Sequence, residues 1–163
     1  MPLPGIDYWL LAVLAALLAI ALLGWLWLRR ESPQAQLQRA QKLFAQQRSG
    51  LQALFFQAAA ASGKPRGLRW KECQWEDAIE WLRDKQTGQL LALVGVVIAF
   101  EAIEGSDMEG VAAVGNLRIA SAVFFWQNGQ WKTAGRTIFN LAPADAVQHF
   151  QQGYERVASN EGR

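Results

Sequence analysis

From Tyr8 to Leu28 the chain carries no charged residue, and Leu and Ala dominate. No feature constrains the fold more, because a uniformly apolar run has no polar face to turn toward water. At about 1.5 Å per residue it reaches about 32 Å as a helix, close to the hydrocarbon thickness of a bilayer. Tyr8 and Trp9 at one end and Trp25 and Trp27 at the other sit where amphipathic rings mark membrane interfaces, and Arg29 and Arg30 stop the run. A cleaved signal peptide would need a basic start, a shorter apolar core and a small-residue cleavage site. The sequence therefore predicts a transmembrane helix over 8–28, acting as a single-pass signal-anchor.

Orientation is read from the basic residues at its ends. None precedes the run, whereas Arg29, Arg30, Arg39, Lys42 and Arg48 follow it. The positive-inside rule then leaves the tail 1–7 outside and the C-terminal domain in the cytoplasm, at a bacterial cytoplasmic (inner) membrane. Ala12, Ala15, Ala16 and Ala19 would let two such helices approach, so a homo-oligomer is a candidate assembly. The expected partners are the lipid bilayer and another membrane or cytoplasmic protein. A net charge of +2 gives no reason to expect nucleic acid.

The expected domain plan is a basic, helical juxtamembrane linker at 29–49, an α+β soluble domain at 50–157 and a disordered tail at 158–163. Ser32–Pro33 punctuates the exit from the apolar run. Leu37, Phe44, Leu51, Leu54, Phe55 and Ala58 then recur at helical spacing, with Gly50 and a capping-box pattern at Ser49 as a possible break. Leu68–Arg83 reads as a strand with Cys73, Trp75, Ile79 and Trp81 on one face; its alternation is imperfect, and a short helix over Trp75–Leu82 is the other option. Lys85–Gly88 is a turn, Gln89–Glu104 a long apolar strand and Gly105–Asn116 a loop.

Asn128–Gly129 between two strand-like runs is a type I′ hairpin signal. It predicts Trp126 opposite Trp131, Phe124 opposite Thr133 and Ala122 opposite Gly135. Pro143 opens a last helix with Ala146, Val147, Phe150 and Tyr154 on one face. The sum is a four-stranded antiparallel meander with helices on one face.

With its long first helix and the hairpin "NGQWKT", the chain resembles the cystatin-like and nuclear-transport-factor-2-like group of folds. "SGKPRGLRWKEC" and "GRTIFNLAP" resemble an uncharacterised family of small membrane-anchored bacterial proteins, which implies no activity.

Catalytic residue types are sparse. His149 is the only histidine and Cys73 the only cysteine, so triads and Cys-rich zinc sites lack parts. Glu101, Glu104, Asp107 and Glu109 do not match an EF-hand spacing. Ser62–Gly67 follows a helix instead of opening one, which excludes a P-loop. Lys64, Arg66, Arg69 and Lys71 with Trp70 offer a basic string that suits an ordinary charged surface or anionic headgroups. No catalytic residue, cofactor or metal is expected. Trp70, Trp75, Trp81, Trp126 and Trp131 are the remaining candidates, as core, as a partner surface or as a ligand pocket with Glu101 pointing inward. The sequence reading is a membrane-anchored, non-enzymatic interaction or scaffold domain. Its alternative is a small apolar-ligand-binding or hydrolytic domain of cone shape.

Overall fold

A computed structural model describes residues 8–28 and 32–157. Its contacts divide the chain into two units, Met1–Gln36 and Leu37–Arg163.

In the first unit, helix α1 spans Tyr8–Leu28. Side chains are described for Trp9 and residues 11–22, and all are exposed, among them Trp9, Leu14, Leu18 and Ile20. Among the described residues, no helix is long and apolar enough to cross a membrane. The expected transmembrane helix is therefore overturned as a description of the fold. Of its expected interface markers only Trp9 has a described side chain; those of Tyr8, Trp25 and Trp27 lie outside the described residues, as do Arg29, Arg30 and both tails.

Helix α2 runs unbroken over Pro33–Ala61, with Pro33 in its first turn. Ser32 caps it, its Oγ accepting from the Ala35 amide at 3.2 Å. Gly50 does not split it. Leu37, Ala40, Phe44, Leu51, Phe55 and Ala59 form its buried stripe, so the stretch expected as a linker already contributes to the core.

The sheet has six strands: β1 (Leu68–Asp84), β2 (Leu90–Ala102), β3 (Arg118–Gln127), β4 (Gln130–Lys132), β5 (Thr137–Phe139) and β6 (Tyr154–Arg156). Their order is β4-β3-β2-β1-β6, with β5 also on β3. The four-stranded meander is thus corrected. β1 is a strand throughout, which excludes the short-helix option, and its irregular alternation has a cause. A one-residue bulge at Lys71 separates the pairs Trp70↔Phe100 and Glu72↔Ala99. One extra residue inverts side-chain parity, so Trp70 joins Cys73, Trp75, Ile79 and Trp81 on the α2 face. A second irregularity, between Trp75 and Ile79, sets three residues against Gly95 alone and preserves parity. Arg48 of α2 braces it, donating to the Glu76 carbonyl at 2.6 Å and to Asp77 Oδ1 at 3.1 Å.

The hairpin turns at Asn128 (φ 54°) and Gly129 (φ 75°), and Trp126 faces Trp131 as expected. Beyond Lys132 the register departs: Ala122 pairs with Thr137, not with Gly135. The reason is α2. A Cβ on Gly135 would land on the backbone of Ala58 and Ala59, and Gly135 sits at φ +69°. The strand breaks there and resumes as β5.

Helix α3 covers only Pro143–His149, and Tyr154, expected on its face, lies in β6 against Asp84. The two helices occupy opposite faces, not one. Leu90, Ala92, Val94, Val96, Ile98 and Phe100 of β2 join the α2 core. Leu91 and Leu93 pack with Leu82, Val123, Ala146 and Val147 under α3. The β1–β2 turn is tied by Asp84, whose Oδ1 accepts from the Gln86 and Thr87 amides at 2.8 Å each. Those bonds hold its carboxyl below the ordinary 3.8.

Two outcomes follow from this architecture. Gly135→Ala should destabilise the fold by about 1–3 kcal/mol from overpacking, before any cost of positive φ; urea denaturation measures it. Asp84→Ala should lower the thermal midpoint at pH 7. Because its folded value is depressed, the gap to wild type should persist above pH 3.8 and close as pH falls through the folded value.

Candidate functional site

The tryptophans that the sequence offers as a site are brought together, but as packing. Phe44 of α2 stands edge-on to Trp81, Phe124 and Trp131 at 5.5, 5.3 and 5.2 Å between ring centroids. Phe55, about three turns further along, meets Trp75 at 5.4 Å and Trp70 at 6.1 Å. Trp126 and Trp131 meet across the hairpin at 5.4 Å. Edge-to-face pairs of this kind add about 0.5–1.5 kcal/mol each beyond area burial. The two deepest indoles satisfy their N–H groups on backbone: Trp131 donates to the Ala40 carbonyl and Trp70 to the Lys64 carbonyl, each at 2.7 Å. Phe44, Phe55 and Phe124 are fully buried between helix and sheet. The space that a ligand would need there is occupied by rings.

Glu101 does not point inward. It lies on the face away from α2, paired across the strands with Arg69 at 2.7 Å, and both side chains are well exposed. Among the described residues the buried polar side chain is one that the sequence reading missed, Ser121, whose Oγ donates to the Leu141 carbonyl at 2.8 Å and so is satisfied.

The other chemical candidates stay apart. Cys73 is half-buried on the α2 face, and burial together with the neighbouring Glu72 charge pushes its thiol from 9.0 up to about 12. His149 is exposed in the last turn of α3, its ring against Phe150. Glu109 is spent locally, Oε2 accepting from the Gly105 amide at 2.8 Å. Among the described residues no group of three His, Cys, Asp or Glu could hold a metal ion. Lys64, Arg66, Arg69 and Lys71 are exposed; Arg69 belongs to the pair with Glu101, and Lys71 to the bulge.

Clefts lie at the surface. Two share Phe139 near the end of α2, one of about 310 Å³ beside Ser62, Trp70 and Thr137, the other of about 210 Å³ beside Pro65, Leu68 and Phe100. In the larger of these two, which Lys64 also lines, the Ser62 hydroxyl is engaged by backbone, donating to the Ala59 carbonyl at 2.6 Å.

The feature that the sequence reading overlooked is the half of the sheet that α3 leaves open. Val97 pairs with Ile119 on that face, and Leu117 leads into β3 beside them. Ile119 and Leu117 are 53% and 57% exposed. The signal was present as alternation in Leu117–Trp126, but the sequence does not say how far a last helix reaches. No family model, curated protein or solved structure matches the chain.

A thiol whose value lies near 12 stays protonated and uncharged at pH 8. Cys73 in the folded chain should resist iodoacetamide at that pH and label fully after denaturation, as read by mass spectrometry. Rapid native labelling would contradict the packing described for β1.

Proposed function

We propose that the chain is a non-enzymatic interaction or scaffold domain. The observation that carries this reading is the combination of a filled interior with large apolar side chains exposed on the outer sheet face. A binding pocket needs the reverse, an empty concavity with inward polar groups. An exposed apolar face on an otherwise closed domain suits a protein partner.

The same proposal sets the domain at a bacterial cytoplasmic membrane, on its cytoplasmic side. The support is the apolar side chains of residues 11–22, exposed on all sides of α1, and the basic residues that follow, Arg39, Lys42 and Arg48 among them. Such a helix needs a non-aqueous neighbour, lipid or protein, and the proposal asks for association alone. The likeness to the cystatin-like and nuclear-transport-factor-2-like folds is supported by one long helix packed on an antiparallel sheet. A second helix on the opposite face and a sixth strand depart from the expected plan. The alternative, a small apolar-ligand or hydrolytic domain, has surface clefts in its favour, those at Phe139 and one of about 480 Å³ beside Leu54, Ala58 and Trp131.

Full-length chain, extracted in mild detergent and captured by a C-terminal tag, should retain a protein at stoichiometric level by mass spectrometry. A chain lacking residues 1–31 should retain it more weakly if membrane placement contributes. A small molecule retained without any protein would favour the alternative instead.

A further inference from the structure

Strand β6 covers only the last three residues of β1, Leu82–Asp84, and Val157 adds one bond, donating to the Trp81 carbonyl at 2.8 Å. That bond fixes which groups of β1 face outward. In an antiparallel ladder, successive residues turn their N–H and C=O alternately toward one neighbour and the other. Trp81 stands opposite Ala92, and Trp75 and Cys73 stand opposite Val96 and Ile98, an even number of residues along β2. Their N–H and C=O groups therefore point away from β2, while Gln74, opposite Val97, bonds inward. Among the described residues, nothing hydrogen-bonds the main chain of Cys73 or Trp75 on that side. A row of such groups is a template for any extended segment.

The two irregularities of β1 keep this row short. Lys71 interrupts it on one side. On the other, three residues are set against Gly95, and Arg48 holds the Glu76 carbonyl at 2.6 Å. Only Glu72–Trp75 stay in unbroken register between them, fewer residues than the five or six (about) of an ordinary strand. We propose that Lys71 guards this edge: the inserted residue keeps β1 from pairing with β1 of a second copy of the chain. The insertion is not needed to place the core. Without it, Trp70 and Glu72 would be consecutive and would alternate, Trp70 toward α2 and Glu72 away, as they already lie. The same side chains would be inside, and the open ladder would run unbroken from Leu68 to Trp75. Bulges at sheet edges are a known defence against such pairing. The inference goes beyond the interaction reading and bounds it: a partner protein meets side chains and not an added strand at this edge.

The test is deletion of Lys71 in the full chain, in zwitterionic detergent, beside K71A, which keeps the extra residue. Residue-resolved amide exchange and sedimentation velocity are the readouts, and near-ultraviolet circular dichroism of the tryptophans reports the core. In wild type the amides of Cys73 and Trp75 should exchange at least about tenfold faster than that of Gln74. The deletion should keep the tryptophan signal, raise the assembly state above that of wild type and slow those two amides at least about tenfold. K71A should match wild type in every readout. Slow exchange of Cys73 and Trp75 in wild type overturns the proposal, because the edge would already be covered. A deletion variant that assembles no further than wild type overturns it too, as does one that assembles while the two amides still exchange fast. Loss of the tryptophan signal on deletion would show that the extra residue serves the fold and not the edge. Association of K71A would move the guard from the inserted residue to its charge, against the proposal. Capture of a partner by the tagged chain is read separately, so the interaction reading can fail or stand on its own.

Discussion

The close seating of α2 on the sheet governs the rest of this domain. At Gly135 the helix backbone comes so near that no side chain fits. At Trp131 the indole N–H reaches through to the Ala40 carbonyl, an otherwise fully engaged helical acceptor. Between these two points Phe44 and Phe55 enter a cluster of rings drawn from three strands. A helix held this closely has the space between it and the sheet filled by rings, with the clefts at its margin.

Much of this was legible in the residues. The buried stripe of α2 follows from helical spacing, the long apolar β2 from its β-branched content, and the hairpin turn from Asn128–Gly129. The face shared by Cys73, Trp75, Ile79 and Trp81 was legible too. What alternation cannot show is a bulge. Trp70 and Glu72 share parity in the sequence and lie on opposite faces in the fold, because Lys71 inserts one residue between their partners. Likewise, Gly135 reads as a strand residue until the helix that presses on it is in place. That contact spans about seventy-five residues of chain, beyond the reach of any local pattern.

The candidate site was legible only in part. The tryptophans stand out in the sequence, but aromatic enrichment does not distinguish a lined pocket from a packed core. Only the partners Phe44, Phe55 and Phe124 decide that. Glu101 was the inward candidate of the pocket reading alone; register places it outward, opposite Arg69. The last helix opens at Pro143 with Ala146 and Val147 buried, as expected, but it ends early. Phe150 and Tyr154 carry helical spacing, yet the chain turns after His149 so that Tyr154–Arg156 can complete the free edge of β1. Satisfying an open ladder outweighed extending a short helix. That choice is also why the outer face stays half bare.

The doubly interrupted β1 has one more consequence. It uses 17 residues where β2 uses 13, so the two neighbours differ in contour length, as the outer and inner lanes of a bend do. Slack stored in one strand makes curvature a property of the chain itself and not of whatever later binds it. Arg48 meets that extra length from the helix side, joining the longer strand to α2.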